Sequence, residues 1–108
     1  MDQAWDNDKI IRLDMTRLSV SVEPFPQEWK LLGGRALSAK ILLKECDPTC
    51  DPLGADNVLV MAPGTLSGTS APTSGRLSLG CKSPLTNGIK EANVGGDPGQ
   101  DLMKLGYR

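Results

Sequence analysis

The stretch from Ala62 to Gly96 reads APGTLSGTSAPTSGRLSLGCKSPLTNGIKEANVGG and holds the residues best suited to chemistry. Small residues and prolines crowd it, so backbone makes most of its surface, and Arg76 stands directly after Gly75. Glycine lets the main chain approach a ligand closely and adopt positive φ. Free N–H groups in successive turns form anion-binding nests, which an arginine complements with a forked donor. The pattern points to a phosphate-bearing cofactor, whose name the composition alone does not give.

The flanking elements must position this stretch. KIIRLD over Lys9 to Asp14, and Leu18, Val20 and Val22 alternating with Ser19 and Ser21, predict two strands of a hairpin joined through Met15, Thr16 and Arg17. Pro24 and Pro26 end the second strand. RALSAKILLKE predicts the principal helix over Arg35 to Glu45. The preceding pair, Gly33 and Gly34, either opens the helix's first-turn N–H groups to an anion or simply lets the chain turn. NVLVMA, Asn57 to Ala62, reads as a strand covered on both faces. From Arg76 to Lys82, Leu77, Leu79 and Cys81 alternate with Arg76, Ser78, Gly80 and Lys82, so Arg76 starts a strand on its polar face with Lys82 at the far end. Ser83-Pro84 and Asn87-Gly88 mark turns, and Glu91 to Gly96 reads as a polar, glycine-rich turn. A short helix follows, with Asp97 as N-cap, Pro98 at its first position and Gly106 as its stop. The fold class is α+β: a mainly antiparallel sheet with an N-terminal hairpin, one principal helix over about 35–45 and a short C-terminal helix. Tyr107-Arg108 ends the chain two residues after that helix, as in an interrupted fold.

Composition excludes several classes. The 108 residues allow at most one small domain, which buries roughly 60–65% of its unfolded surface. One Phe, one Tyr and two Trp make no stacking platform for single-stranded nucleic acid. With 12 basic and 13 acidic residues, the net charge of −1 leaves no footprint for DNA or RNA. No apolar run approaches the roughly 20 residues of a membrane span, and the opening MDQAWDND is acidic where a signal peptide is basic, so a cytoplasmic location is expected. The absence of histidine removes Ser/His/Asp and Cys/His catalysis and histidine-ligated zinc. Cys46, Cys50 and Cys81 are an odd count and are expected as reduced thiols. Cys46 and Cys50 are four apart in a surface loop, CDPTCDP, whose prolines forbid a regular helix with both thiols on one face, and Cys81 reads as a small apolar strand residue.

KIIRLDMTRLSVSVE, LLGGRALSAKILLKE, DPLGADNVLVMAPGTLSGTSAPTSGR and KSPLTNGIKEANVGG, in that order, resemble the N-terminal domain of the tungsten-containing aldehyde ferredoxin oxidoreductase family. They are similar to the family's first hairpin, its LGGRGLGAKLL helix, its DPL, ENxL and GPLTGTxAPxxGR series, and its KSPLTGGIxxxNSGG stretch. The match covers nearly the whole chain, as an incomplete half of that tungstopterin-binding domain over 1–108.

The resemblance implies a base for a bis-molybdopterin tungsten cofactor, whose dithiolene sulfurs hold the metal. Arg76 falls on the family's arginine that contacts the pterin and its phosphate. Asn93 falls on the asparagine whose backbone carbonyl helps hold a magnesium ion (Mg2+) bridging the two pterin phosphates, and Gly95 on a glycine in close backbone contact with the cofactor. No residue here is assigned a catalytic role. In the intact family an aldehyde and water become a carboxylate, and electrons pass from tungsten through a [4Fe-4S] cluster to ferredoxin, in anaerobic metabolism. The cluster's cysteine ligands lie in later domains, and Cys46, Cys50 and Cys81 match none of them. Ferredoxin and an aldehyde are the implied partners of the full-length enzyme, and a homo-oligomer stays open. Asp97-Pro98 stand where the family has an aromatic pair, adding a negative charge beside the phosphate position. Pro63-Gly64-Thr65 inverts the family's Gly-Pro order, and Gly80-Cys81 interrupts a strand. Two other readings are a non-catalytic stand-alone binding or interaction module derived from this domain, and a generic nucleotide-phosphate binder, which lacks GxxxxGKS and GxGxxG.

Overall fold

The computed structural model describes residues 9–107, so MDQAWDND lies outside the described residues. β1 (Lys9–Asp14) and β2 (Ser19–Pro24) form the expected antiparallel hairpin, in a register that sets Lys9 opposite Pro24 and Asp14 opposite Ser19. The Asp14 carboxylate closes the turn by accepting the N–H groups of Thr16 and Arg17 at 3.1 and 3.2 Å. Leu18, expected to begin the second strand, has φ 52 and is 81% exposed. It is the left-handed residue of the turn, and the strand begins one residue later.

A single 3-10 turn over Gln27–Trp29, which sequence patterning does not mark, buries Trp29 edge-on against Phe25 with ring centroids 6.4 Å apart. The principal helix, α1 (Gly34–Glu45), starts one residue before its expected bound. Its buried side carries Leu37, Ser38, Ile41 and Leu42, which join Ile10, Phe25, Trp29, Val60 and Ala62 in the core. Arg12 bridges the hairpin to this helix, 2.7 Å from Glu23 and 2.6 Å from Glu45.

β3 (Val60–Pro63), β4 (Arg76–Lys82) and β5 (Ile89–Gly95) form an antiparallel sheet in that order. β3 is shorter than the expected Asn57 to Ala62 and is not covered on both faces: Val60 and Ala62 enter the core, while Met61 is 51% exposed. The alternation expected along β4 holds, but its polar face is the one that α1 covers. Ser78 and Gly80 lie opposite Ala62 and Val60, and a Cβ on Gly80 would sit 3.1 Å from Ser38 Cβ and 3.2 Å from Leu42 Cδ1. The small residues let helix and strand approach, so packing overrides the apolar pattern. Glu91 to Gly95 is likewise strand, not turn: β5 pairs along its length with β4, and the chain turns at Gly96, whose φ is 95.

α2 (Asp97–Lys104) has Gly96 at its N-cap, so Asp97 sits in the first turn with Pro98 instead of capping. Its end is a Schellman closure: Gly106, at φ 90, donates to Met103 O at 3.0 Å and Tyr107 to Leu102 O at 3.2 Å. Beyond this helix Tyr107 forms a parallel bridge with Lys9, whose N–H donates to Gly106 O at 2.8 Å.

Candidate functional site

The loop between β3 and β4 is folded by its own small residues. Ser67, 1% exposed, has its hydroxyl 3.0 Å from Ser74 O and 3.2 Å from Arg76 O, and Gly64 N–H donates to Arg76 O at 3.0 Å. A side chain on Gly75 is excluded, since its Cβ would lie 2.3 Å from Gly96 O. These contacts deliver Arg76 to the first position of β4 with its side chain in the open.

An open cleft of about 630 Å³ lies between the start of α1 and this sheet, lined by Gly34, Arg35, Ala36, Ala39, Gly64, Arg76, Ser78 and Asn93. Arg76 is paired directly with Gly95, and Ser78 with Asn93. Gly95 is not in the lining, but a Cβ there would stand 3.7 Å from Arg76 Nη2. The structure thus gathers Arg76, Asn93 and Gly95 at one place, with Arg76 starting its strand as expected and Asn93 and Gly95 on a strand instead of a turn. Asp97, expected to put a charge beside this position, lies outside the lining, in the first turn of α2.

Both readings of Gly33 and Gly34 have a physical counterpart. Gly33 is extended, and a Cβ there would meet Thr65 at 2.7 Å; Gly34 has φ 56. The pair therefore turns the chain tightly against the loop. It also leaves α1 without a side-chain cap, with Gly34, Arg35 and Ala36 facing the cleft. Uncapped first-turn N–H groups carry a partial positive charge.

Sequence reasoning missed the acid at this site. Glu91, on β5, accepts from Ser78 Oγ at 2.9 Å and from the Asn93 carboxamide, and its other oxygen is 3.5 Å from Arg35 Nε. Ser78 Oγ in turn lies 3.2 Å from Ser38 Oγ. Arg35 was also missed, although it follows a glycine as Arg76 does, which was the available signal. Among the described residues, the Arg76 guanidinium has no hydrogen-bond or ion-pair partner. Two guanidinium groups and a helix start thus face one open space walled by glycine and alanine, an arrangement suited to a planar, anionic guest.

Away from the cleft, Cys46 Sγ and Cys50 Sγ are 3.8 Å apart. The prolines do prevent a helix there, yet a turn closed by Cys50 N–H to Asp47 O, at 3.0 Å, brings the thiols together. Cys50 is buried, against the expectation of a plain surface loop. Among the described residues, no group of three His, Cys, Asp or Glu side chains is placed to hold a metal, and no helix is long and apolar enough to cross a membrane.

Fold and site together define an α+β unit with an open, arginine-lined cleft where a helix start meets the first residue of a central strand. Comparison with known proteins makes the class specific: the chain belongs to the family described as "Aldehyde ferredoxin oxidoreductase, N-terminal domain", which matches residues 10–108. It is 46% identical over 101 residues to the tungsten-containing aldehyde ferredoxin oxidoreductase of Pyrococcus furiosus, covering 92% of this chain and 17% of that protein. The enzyme of the same name from Thermococcus kodakarensis is 45% identical with the same coverage. The aliphatic sulfonate oxidoreductase WOR-like subunit of Pyrococcus furiosus is 32% identical over 106 residues, covering 94% and 17%. Among solved structures, the active site complex BamBC of benzoyl coenzyme A reductase, in complex with 1,5 dienoyl-CoA, superposes with a TM-score of 0.88 at 28% identity, covering 95% of this chain and 16% of that one. The chain therefore spans 17% of the length of the curated relatives it matches.

Proposed function

We propose that this chain supplies part of the surface on which a tungstopterin lies, as a section of the N-terminal domain of an oxidoreductase that converts aldehydes to carboxylates in the cytoplasm. The observation that carries the reading is the Arg76 guanidinium, without a hydrogen-bond or ion-pair partner among the described residues, beside Asn93 and Gly95 and facing the uncapped start of α1. The donor set fits the group: a fork-shaped cation and free N–H groups for phosphate, and glycine and alanine walls that admit a flat ring system. Magnesium suits carbonyl oxygen, and the Asn93 backbone carbonyl would be one of its ligands, with cofactor phosphates supplying others.

When bound, the tungsten group supplies the two-electron oxidation of the aldehyde. This chain's residues bind and orient: Arg76 neutralises and fixes a phosphate, Gly95 leaves the guanidinium room to swing, and Gly34 and Gly64 keep the cleft open. Glycine, alanine and arginine lining suits a role in holding the cofactor. The [4Fe-4S] cluster and the ferredoxin acceptor belong to the remainder of a family enzyme.

In the complete enzyme, Arg76→Ala removes charge-assisted hydrogen bonds of about 1.5–3 kcal/mol, so tungsten per chain is expected to fall by about tenfold or more. Unchanged tungsten content would overturn the role of Arg76.

A further inference from the structure

The cysteine pair at the far end of the helix has no part in that cleft, and its surroundings are built. Cys46 is the residue that caps α1, its N–H donating to Leu42 O at 3.0 Å. Asp47 then accepts both the N–H and the hydroxyl of Thr49, at 2.9 and 2.8 Å. From β4, Lys82 reaches in, 8% exposed, and its ammonium donates to the carbonyls of Pro48 and Cys50. Asn57 Oδ1, which accepts the N–H groups of Val58 and Lys82, lies 3.9 Å from Cys46 Sγ. The turn over residues 46–50 is therefore held from the helix, the strand and the following loop. Its thiols are constrained to meet.

We infer that Cys46 and Cys50 form a reversible dithiol–disulfide site, oxidised by exchange with a small-molecule disulfide of the glutathione type. The 3.8 Å between the sulfurs must close to about 2 Å. Cys46 is half-buried and Cys50 is 8% exposed, which assigns the order of events. The Cys46 thiolate attacks the external disulfide and one thiolate leaves, giving a mixed disulfide. The Cys50 thiolate then attacks the Cys46 sulfur and expels the second. In balance, two protein thiols lose two protons and two electrons, and one external disulfide becomes two thiols. Burial pushes the Cys50 thiol up, the neighbouring Cys46 adds to this, and the Lys82 ammonium opposes it, so the resolving step depends on the frame that places Cys50 beside its target.

Trypsin reads the site directly. Cleavage after Lys44 and Arg76 releases residues 45–76 with both cysteines and no internal Lys or Arg, while Cys81 leaves in a separate peptide ending at Lys82. The native protein carrying this chain is equilibrated with reduced and oxidised glutathione, acid-quenched, alkylated, digested and weighed. Expected is a 45–76 peptide lighter by two hydrogens and resistant to alkylation. Its oxidation equilibrium should be at least about tenfold more favourable than in the urea-unfolded chain. Cys50→Ser should leave glutathione trapped on Cys46, and Cys81→Ala should change nothing. A lasting glutathione adduct in the wild type, a link to Cys81, or equal equilibria in native and unfolded chains would each overturn the inference. None of these readings depends on cofactor binding.

Discussion

Ser38 on α1 and Ser78 on β4 meet through their hydroxyls at 3.2 Å while only 1% and 0% exposed. Each hydroxyl has one proton. The Glu91 carboxylate can only accept, so Ser78 donates to it at 2.9 Å, and Ser38 donates to Ser78 or to Arg35 O at 3.1 Å. The chain of contacts locks the helix to the middle strand and ends on an acid beside the cleft. Ser78→Ala strands buried partners and should cost about 1–3 kcal/mol. Because both serines serve one network, Ser38→Ala combined with Ser78→Ala should cost less than the sum of the single changes. Urea unfolding of the four variants gives the cycle. Strict additivity would show that the two hydroxyls act independently.

Glu91 sets the charge balance of the cleft. Its carboxylate holds Arg35, whose side chain is 76% exposed, and accepts from the Asn93 carboxamide. With Arg35 exposed the ion pair contributes at most about 1 kcal/mol, and the Gln amide oxygen can still accept from Ser78, so Glu91→Gln should cost about 1 kcal/mol or less. It also removes the negative charge that Arg35 faces at the edge of the cleft. Binding of inorganic phosphate, measured by calorimetric titration at low salt, should tighten by about two- to fivefold, equivalent to roughly 0.5–1 kcal/mol of Coulomb repulsion. Affinity that does not change, or that weakens, would mean the Glu91 charge does not reach the anion position.

Local chemistry made the elements legible. The periodicity of RALSAKILLKE, the proline stops after β2, the Asn87-Gly88 turn with Asn87 at φ 61, and the Gly106 stop each rest on contacts within a few residues. What depends on distant packing was not legible. Leu77, Leu79 and Cys81 look like the buried face of β4, yet α1 settles on Ser78 and Gly80 because a close helix needs small residues beneath it. Gly80, an apparent flaw in the strand, marks where Leu42 and Ser38 touch it. EANVGG has turn composition, and only its full pairing with β4 makes it a strand. The cleft shows the same division. Arg76 was visible because it follows a glycine in a small-residue loop, while Glu91 gains its role from Ser78, Asn93 and Arg35, one of them 56 residues earlier in the chain.

Asp47 gives the pH dependence a sign. The backbone N–H of Thr49, then its hydroxyl, hold the carboxyl below the usual aspartate range, with the Lys82 charge adding to this and desolvation opposing it. The folded state therefore binds this proton less tightly than the unfolded chain does. The associated stability is present above the unfolded value and is lost as pH falls through the folded one. Thr49→Val deletes the hydroxyl donor but keeps the N–H, so the Asp47 midpoint should rise while staying below the ordinary range. Carboxyl NMR titration of the two proteins measures this directly. A midpoint that does not move would show that the backbone N–H alone holds the charge, and that the Asp47–Thr49 turn frames the neighbouring thiols without its hydroxyl.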